Sequence, residues 1–292
     1  FTLEKCNYLF SLYKKIPEYT LQNSQMTLQE FKIIYWWEYI HRLLGRIIGL
    51  AYIIPLLFFT FKKYIDKQYF VPLYLIFFLI CFQGFIGWYM VESGLTDRVD
   101  VSHYRLSLHL TGAFIILILL VFYYLKLKQN NLILSGKKIP FNFPILFTSL
   151  ILIQISIGAL VSGLDAGKIY QTWPLMNQNY FPDDINATNL ITFKMLEIPS
   201  LVQFIHRNLA YLIFLIFLFF SYLVYFNKSY LYLKGTVILI FLALSLQIIL
   251  GIFTILSGAQ IYIASLHQIG SIFLIITSLL LVFKNYKLTN SF

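Results

Sequence analysis

Seven continuous apolar stretches, each long enough to cross a bilayer as a helix, leave this chain few ways to fold. They run at 38–61, 69–91, 105–125, 143–163, 200–226, 235–256 and 263–283. Within each, the apolar residues are continuous rather than alternating, which predicts helices and not barrel strands. Over 292 residues, 59% are hydrophobic and only 12% charged, with a mean hydropathy of +0.76, so no soluble globular fold can bury this chain. The expected class is an all-α polytopic membrane protein.

A net charge of +10 invites a nucleic-acid reading, but its distribution argues otherwise. Lys62, Lys63, Lys67, Lys126, Lys128, Lys137, Lys138, Lys228, Lys234, Lys284 and Lys287 occupy alternate short loops or the tail, with Asp66 the one acid among them. Glu92, Asp97, Asp100, Asp165, Asp183, Asp184 and Glu197 occupy the opposite loops, where they outnumber Arg98, Lys168 and Lys194. The lysine loops therefore face the cytoplasm or mitochondrial matrix, and residues 1–37 face outward as short amphipathic helices. The excess charge is a topology signal, and the partner is a lipid bilayer rather than nucleic acid. Cys6 lies in the outer segment and Cys81 within a membrane helix, so no disulfide framework is expected. No cleavable signal peptide is legible, and a first residue of Phe suggests that the beginning of the protein is missing.

One pattern occurs three times: Gln83-x-x-x-Gly87 leading to Ser93-Gly94, Gln154-x-x-x-Gly158 leading to Ser162-Gly163, and Gln247-x-x-x-Gly251 leading to Ser257-Gly258. Alternating with these are helices that begin at the outer side with His41, His109, His206 and His267. Restoring one Gln helix before His41 gives two four-helix bundles of equal orientation, related by a pseudo-two-fold axis along the membrane normal, with eight helices of which seven are present. On that scheme 1–125 is the N-terminal half, 126–142 an inner linker of flexible composition, and 143–292 the C-terminal half. Small residues on the Gln helices suffice for close helix packing.

A lone membrane histidine is usually an interhelical hydrogen-bonding group. Four at equivalent repeat positions point instead to metal or heme ligation, and two per half suit the two axial positions of a heme. Zinc fits poorly, because neither Cys nor carboxylate clusters accompany the histidines, Glu38 excepted. Arg42 and Arg46, Arg105 and Arg207 stand near three of the histidines and are candidate partners for heme propionates, whereas His267 has no adjacent arginine. Snorkelling of these arginines to lipid headgroups is the plainer alternative. Glu38 and His41, three apart, share a helix face at the mouth of the first span. Unless Arg42 or Arg46 offsets its desolvation, Glu38 is expected to hold its proton more tightly than usual. His103, six residues before His109, reads as a surface histidine.

The chain resembles the heme A synthase family along essentially its whole length. The resemblance rests on Glu38-Tyr-Ile-His41-Arg42-x-x-Gly45-Arg46, Gln83-Gly84-Phe-Ile-Gly87-Trp88 through Ser93-Gly94, Tyr104-Arg105-Leu-Ser-Leu-His109, Gly158 through Asp165-Ala-Gly167, Thr172-Trp-Pro174-Leu-Met176, Gln203-Phe-Ile-His206-Arg207 and Leu266-His267-Gln268-x-Gly270. The pattern resembles the mitochondrial and alphaproteobacterial branch, and the paired outer-loop cysteines of some bacterial relatives have no equivalent here.

The resemblance implies an enzyme that oxidises a methyl group of heme O to a formyl group by successive hydroxylations, making heme A for cytochrome oxidase. It implies that His41 and His109 flank the substrate heme, that His206 and His267 ligate a heme b cofactor, and that Glu38 lies beside the substrate as a catalytic candidate. Heme O, an electron donor, heme O synthase and cytochrome oxidase assembly factors are the partners it suggests. The membrane would be the bacterial cytoplasmic or mitochondrial inner membrane, with the hemes near its outer face. Two rival readings are a bis-histidine diheme electron carrier and a heme transporter. The first would place its hemes at opposite faces, and the second would want polar groups at the midplane, where Ile, Leu and Phe dominate.

Overall fold

A computed structural model describes residues 3–92, 100–128, 134–185 and 193–289. Ser93, Gly94, Asp97 and Arg98, residues 129–133 of the linker, and the side chain of Lys194 lie outside that description. Nine α-helices are found among the described residues: α1 (Leu3–Tyr13), α2 (Pro17–Leu21), α3 (Leu28–Phe61), α4 (Lys67–Glu92), α5 (His103–Lys128), α6 (Phe143–Gly163), α7 (Pro199–Phe226), α8 (Lys234–Leu256) and α9 (Ile261–Thr289). The seven from α3 onward are long and apolar enough to cross a membrane, and each coincides with one of the seven expected stretches. The protein is an all-α polytopic membrane protein.

The largest departure in boundary is the start of α3, ten residues before the expected 38. Thr27 caps it: its hydroxyl accepts the Glu30 N–H at 3.3 Å while the Glu30 carboxylate accepts the Thr27 N–H at 2.8 Å. This reciprocal pair satisfies two donors that a bare helix start leaves open. Only α1 and α2 remain as the short outer helices expected over 1–37.

The chain divides into two compact units, residues 1–112 and 113–292, so that α5 is shared between them. In the first, α3 and α4 are tied within the apolar region by the Tyr52 hydroxyl donating to the Leu73 carbonyl at 3.0 Å and by Thr60 and Tyr74 at 3.0 Å. In the second, α6 packs on α7 and α9, and α8 on α9. Phe143 stacks on Phe220 at 4.4 Å and Phe147 lies 6.1 Å from Phe217, and Ile151, Ile213, Ile240, Ile275 and Phe283 are fully buried around them. In lipid, such interlocked side chains hold helices together through dispersion rather than through release of water. The described end of the linker is tied down: Ile139 N–H donates to Asn285 at 2.8 Å and Lys137 N–H to the Ser229 carbonyl at 3.1 Å.

Candidate functional site

The Gln repeat and the histidines meet side chain to side chain, once in the first unit and twice in the second. In the first, Gln83 on α4 donates its amide to the His109 carbonyl on α5 at 2.6 Å and lies 3.1 Å from the ring Nδ1. In the second, Gln154 on α6 donates to the His206 carbonyl on α7 at 2.9 Å. Gln247 on α8, with its amide oriented to satisfy both of its neighbours, donates to the His267 carbonyl on α9 at 3.0 Å and accepts the Ser271 N–H at 3.1 Å.

The glycine one turn further along each Gln helix lies against the same ring. A Cβ on Gly87 would stand 2.9 Å from Cε1 of His109, one on Gly158 3.1 Å from Cε1 of His206, and one on Gly251 3.1 Å from Cε1 of His267. Two further glycines receive the glutamines: Gly112, where a Cβ would come 2.5 Å from the Gln83 amide oxygen, and Gly270, which lies against the Gln247 amide. Both follow their histidine by three residues, a His-x-x-Gly spacing legible in the sequence as His109-x-x-Gly112 and His267-x-x-Gly270. The third site has Leu209 at that position, and there the Gln154 amide oxygen is buried without a hydrogen-bond partner among the described residues.

The imidazoles come in pairs. His41 and His109 lie within electrostatic reach of each other in the first unit, as do His206 and His267 in the second. His206 is half-buried, and its Nδ1 has no hydrogen-bond partner among the described residues. A buried ring nitrogen left open is costly unless something coordinates it. No three His, Cys, Asp or Glu side chains converge among the described residues, so a metal held here must bring most of its own ligands, as a porphyrin does. The second unit's pair, with its orphaned nitrogen, fits heme.

The arginines behave differently from one another. Arg207 is buried, and its guanidinium donates to the carbonyls of Tyr170 at 2.9 Å, Thr172 at 2.9 Å and Leu175 at 3.3 Å. Gln203, one turn earlier, also donates to the Tyr170 carbonyl at 3.0 Å. The loop after α6 is thereby strapped onto the start of α7, with the Trp173 indole donating to the Tyr211 hydroxyl at 2.9 Å and the Tyr180 hydroxyl to Asn208. Within that loop Tyr170 donates to Asp183 and Asp184, and burial, followed by these carboxylates, pushes its phenol up to about 12.

Arg42 forms an ion pair with Glu38, and the Arg105 guanidinium lies 4.6 Å above the Tyr89 ring centre. Arg46 and His41 are exposed on α3. His103 is a correction: it is buried rather than on the surface, its ring 4.1 Å from that of Tyr104.

Arg207→Lys is expected to loosen the strap. An ammonium cannot reach three carbonyls with the geometry of a fork, and each charge-assisted hydrogen bond contributes about 1.5–3 kcal/mol. Cleavage of the 170–184 loop by an added protease should accelerate about tenfold or more, since local opening tracks the free energy lost.

Fold and site together define a polytopic helical membrane protein in which the His109, His206 and His267 imidazoles are each seated against a glycine of a neighbouring helix. The chain belongs to the COX15-CtaA family of cytochrome oxidase assembly proteins, whose family model matches residues 1–279. It is 47% identical over 288 residues to the heme A synthase of Pelagibacter ubique, covering 97% of this chain and 83% of that protein. Identity to the heme A synthase of Rickettsia felis is 40% over 278 residues, covering 94% and 82%. No solved structure matches the chain significantly.

Proposed function

We propose that this protein is a heme A synthase, an oxidoreductase that converts a methyl substituent of heme O to a formyl group through successive hydroxylations and loss of water. The observation that carries the reading is that His206, within electrostatic reach of His267, has a buried Nδ1 with no hydrogen-bond partner among the described residues, in a chain whose relatives are named heme A synthase. On this reading His206 and His267 would hold heme b in the second unit, and His41 and His109 would receive heme O in the first.

When bound, heme supplies the redox chemistry that no side chain can, activation of a C–H bond with oxygen. The protein's own part is positional and electrostatic. Glu38, on the same face of α3 as His41, stands where it can hold or pass a proton beside the substrate, and its ion pair with Arg42 keeps the carboxylate oriented. Arg42, Arg46 and Arg105 are the guanidiniums proposed to meet propionates. For Arg207, both terminal nitrogens are engaged by loop carbonyls, so its contribution to a propionate runs through the strap it holds. The apolar helix faces provide a slot for a farnesyl tail. The electron donor, heme O synthase and oxidase assembly factors are its expected partners, in a bacterial cytoplasmic or mitochondrial inner membrane with the hemes toward the outer face.

The test is expression in a host that makes heme O but not heme A, followed by extraction and mass identification of the hemes. Heme A, or its hydroxylated precursor, is the expected product. Bound heme b with heme O unchanged, despite a supplied electron donor, would favour the diheme electron-carrier reading instead.

A further inference from the structure

Three Gln helices meet three His helices through one repeated contact, and nothing in heme ligation alone requires it. In each case the ring presents its Cε1 edge to a glycine, with both ring nitrogens farther off: 3.5 and 3.7 Å from the Cβ position at Gly87, 3.7 and 3.8 Å at Gly158, and 3.7 Å for both at Gly251. In each case, too, the glutamine one turn earlier binds the backbone carbonyl of that same histidine. Helix packing by small residues would explain glycine at these positions but not why the closest neighbour is always the same atom of an imidazole. Nor would it explain a glutamine always bonded to that residue's carbonyl, which already serves as an acceptor within its own helix.

The two halves of the contact constrain different freedoms. A Gln-to-carbonyl hydrogen bond fixes the height of the His helix against the Gln helix, which sets how far the ring stands from the outer face. The bare Cα of glycine lets the ring edge come flush, and by filling that side it blocks rotation of the imidazole toward the Gln helix. Among the described residues His41 has no such seat, since a Cβ on Gly45, Gly49 or Gly84 would meet nothing within 4 Å.

We propose that Gln83–Gly87, Gln154–Gly158 and Gln247–Gly251 are positioning residues that fix the height and plane of the His109, His206 and His267 imidazoles for axial coordination. The proposal rests on the heme-ligand reading above. It makes the Gln-x-x-x-Gly repeat part of the ligand shell rather than of the helix packing.

The plane of an axial imidazole governs the splitting of the iron d orbitals, so a merely structural substitution and a repositioned ligand can be told apart spectroscopically. The test uses the purified holoprotein, comparing Gly158→Ala and Gly251→Ala with wild type and with Ile153→Ala, which changes an exposed side chain on the same helix as Gly158. A methyl 3.1 Å from Cε1 forces the ring to shift by a few tenths of an ångström. Both glycine variants should retain heme b within about twofold, because the ligand remains. Their low-spin ferric EPR signal should nevertheless move or split, with a shifted midpoint potential, while Ile153→Ala matches wild type.

Should a glycine variant fail to accumulate, Gln154→Met, which keeps the side chain's length without its donor, is read in the same way. Unchanged EPR and potential in these variants, while His206→Ala loses heme b, would overturn the positioning role and leave the ligand assignment standing. Retention of heme b by His206→Ala would overturn the ligand assignment itself.

Discussion

His206→Ala, purified from membranes at wild-type yield, is expected to lose heme b by tenfold or more, as measured by heme per polypeptide. His267→Ala should do the same, and His41→Ala should not. The change removes one of the proposed heme ligands while leaving the scaffold intact. The Gln154 bond goes to the His206 backbone carbonyl, which alanine keeps. Truncating a half-buried imidazole costs about 1–3 kcal/mol, against the 5–15 kcal/mol that separates a typical folded domain from its unfolded state. A folded, heme-free protein is therefore the expected result rather than an absent one, and unchanged far-ultraviolet circular dichroism is the accompanying check. Full heme b content in either variant would remove the second unit's histidines from cofactor binding.

Why these histidines could be singled out from sequence, and their seats could not, has a physical reason. Continuous apolar runs, and the positions of His41, His109, His206 and His267 close to the starts of those runs, are one-dimensional signals, and the bilayer's demand for internally satisfied backbone makes the runs dependable. All seven membrane helices follow from that demand alone. Which residue of one helix faces which of another is a matter of helix rotation, and a helix with apolar residues all around carries no stripe to fix it. Gly158 and Gly251 thus read equally well as packing residues, and only the close approach of two rings distinguishes them.

Arg207 failed to be legible for a related reason. Beside a proposed heme ligand, a guanidinium suggests a propionate, but its nearest acceptors are carbonyls of a loop some thirty residues earlier, brought back by the fold. Burial of His103 is equally non-local. The early start of α3, by contrast, was available in Thr27 and Glu30, a capping box that lay outside the apolar run on which attention falls.

Glu38→Gln is expected to separate binding from chemistry more sharply than any other substitution. Heme b should stay within about twofold of wild type, because Glu38 lies in the first unit and the proposed heme b ligands in the second. Conversion of heme O should fall by about 10²–10⁴, the range that a positioned proton-transfer group contributes. The competing role is purely as a partner for Arg42, and it can be weighed. The pair is four residues apart on one helix, with about half of each side chain exposed, 54% for Arg42 and 47% for Glu38. Exposed pairs of this kind contribute about 0.2–1 kcal/mol, equivalent to a few-fold change in rate at most.

Arg42→Gln breaks the same pair and leaves the carboxylate in place, so a structural role predicts equal losses in the two variants. Proton handling predicts a loss at Glu38→Gln at least tenfold greater than at Arg42→Gln, with heme O accumulating in extracts of the former. Equal, small losses would reduce Glu38 to a support for the guanidinium, and full conversion in Glu38→Gln would remove it from the mechanism. Its position three residues before His41, on the face that the imidazole shares, is why the larger effect is expected: on the proposed function, a carboxyl group there would lie beside the substrate heme.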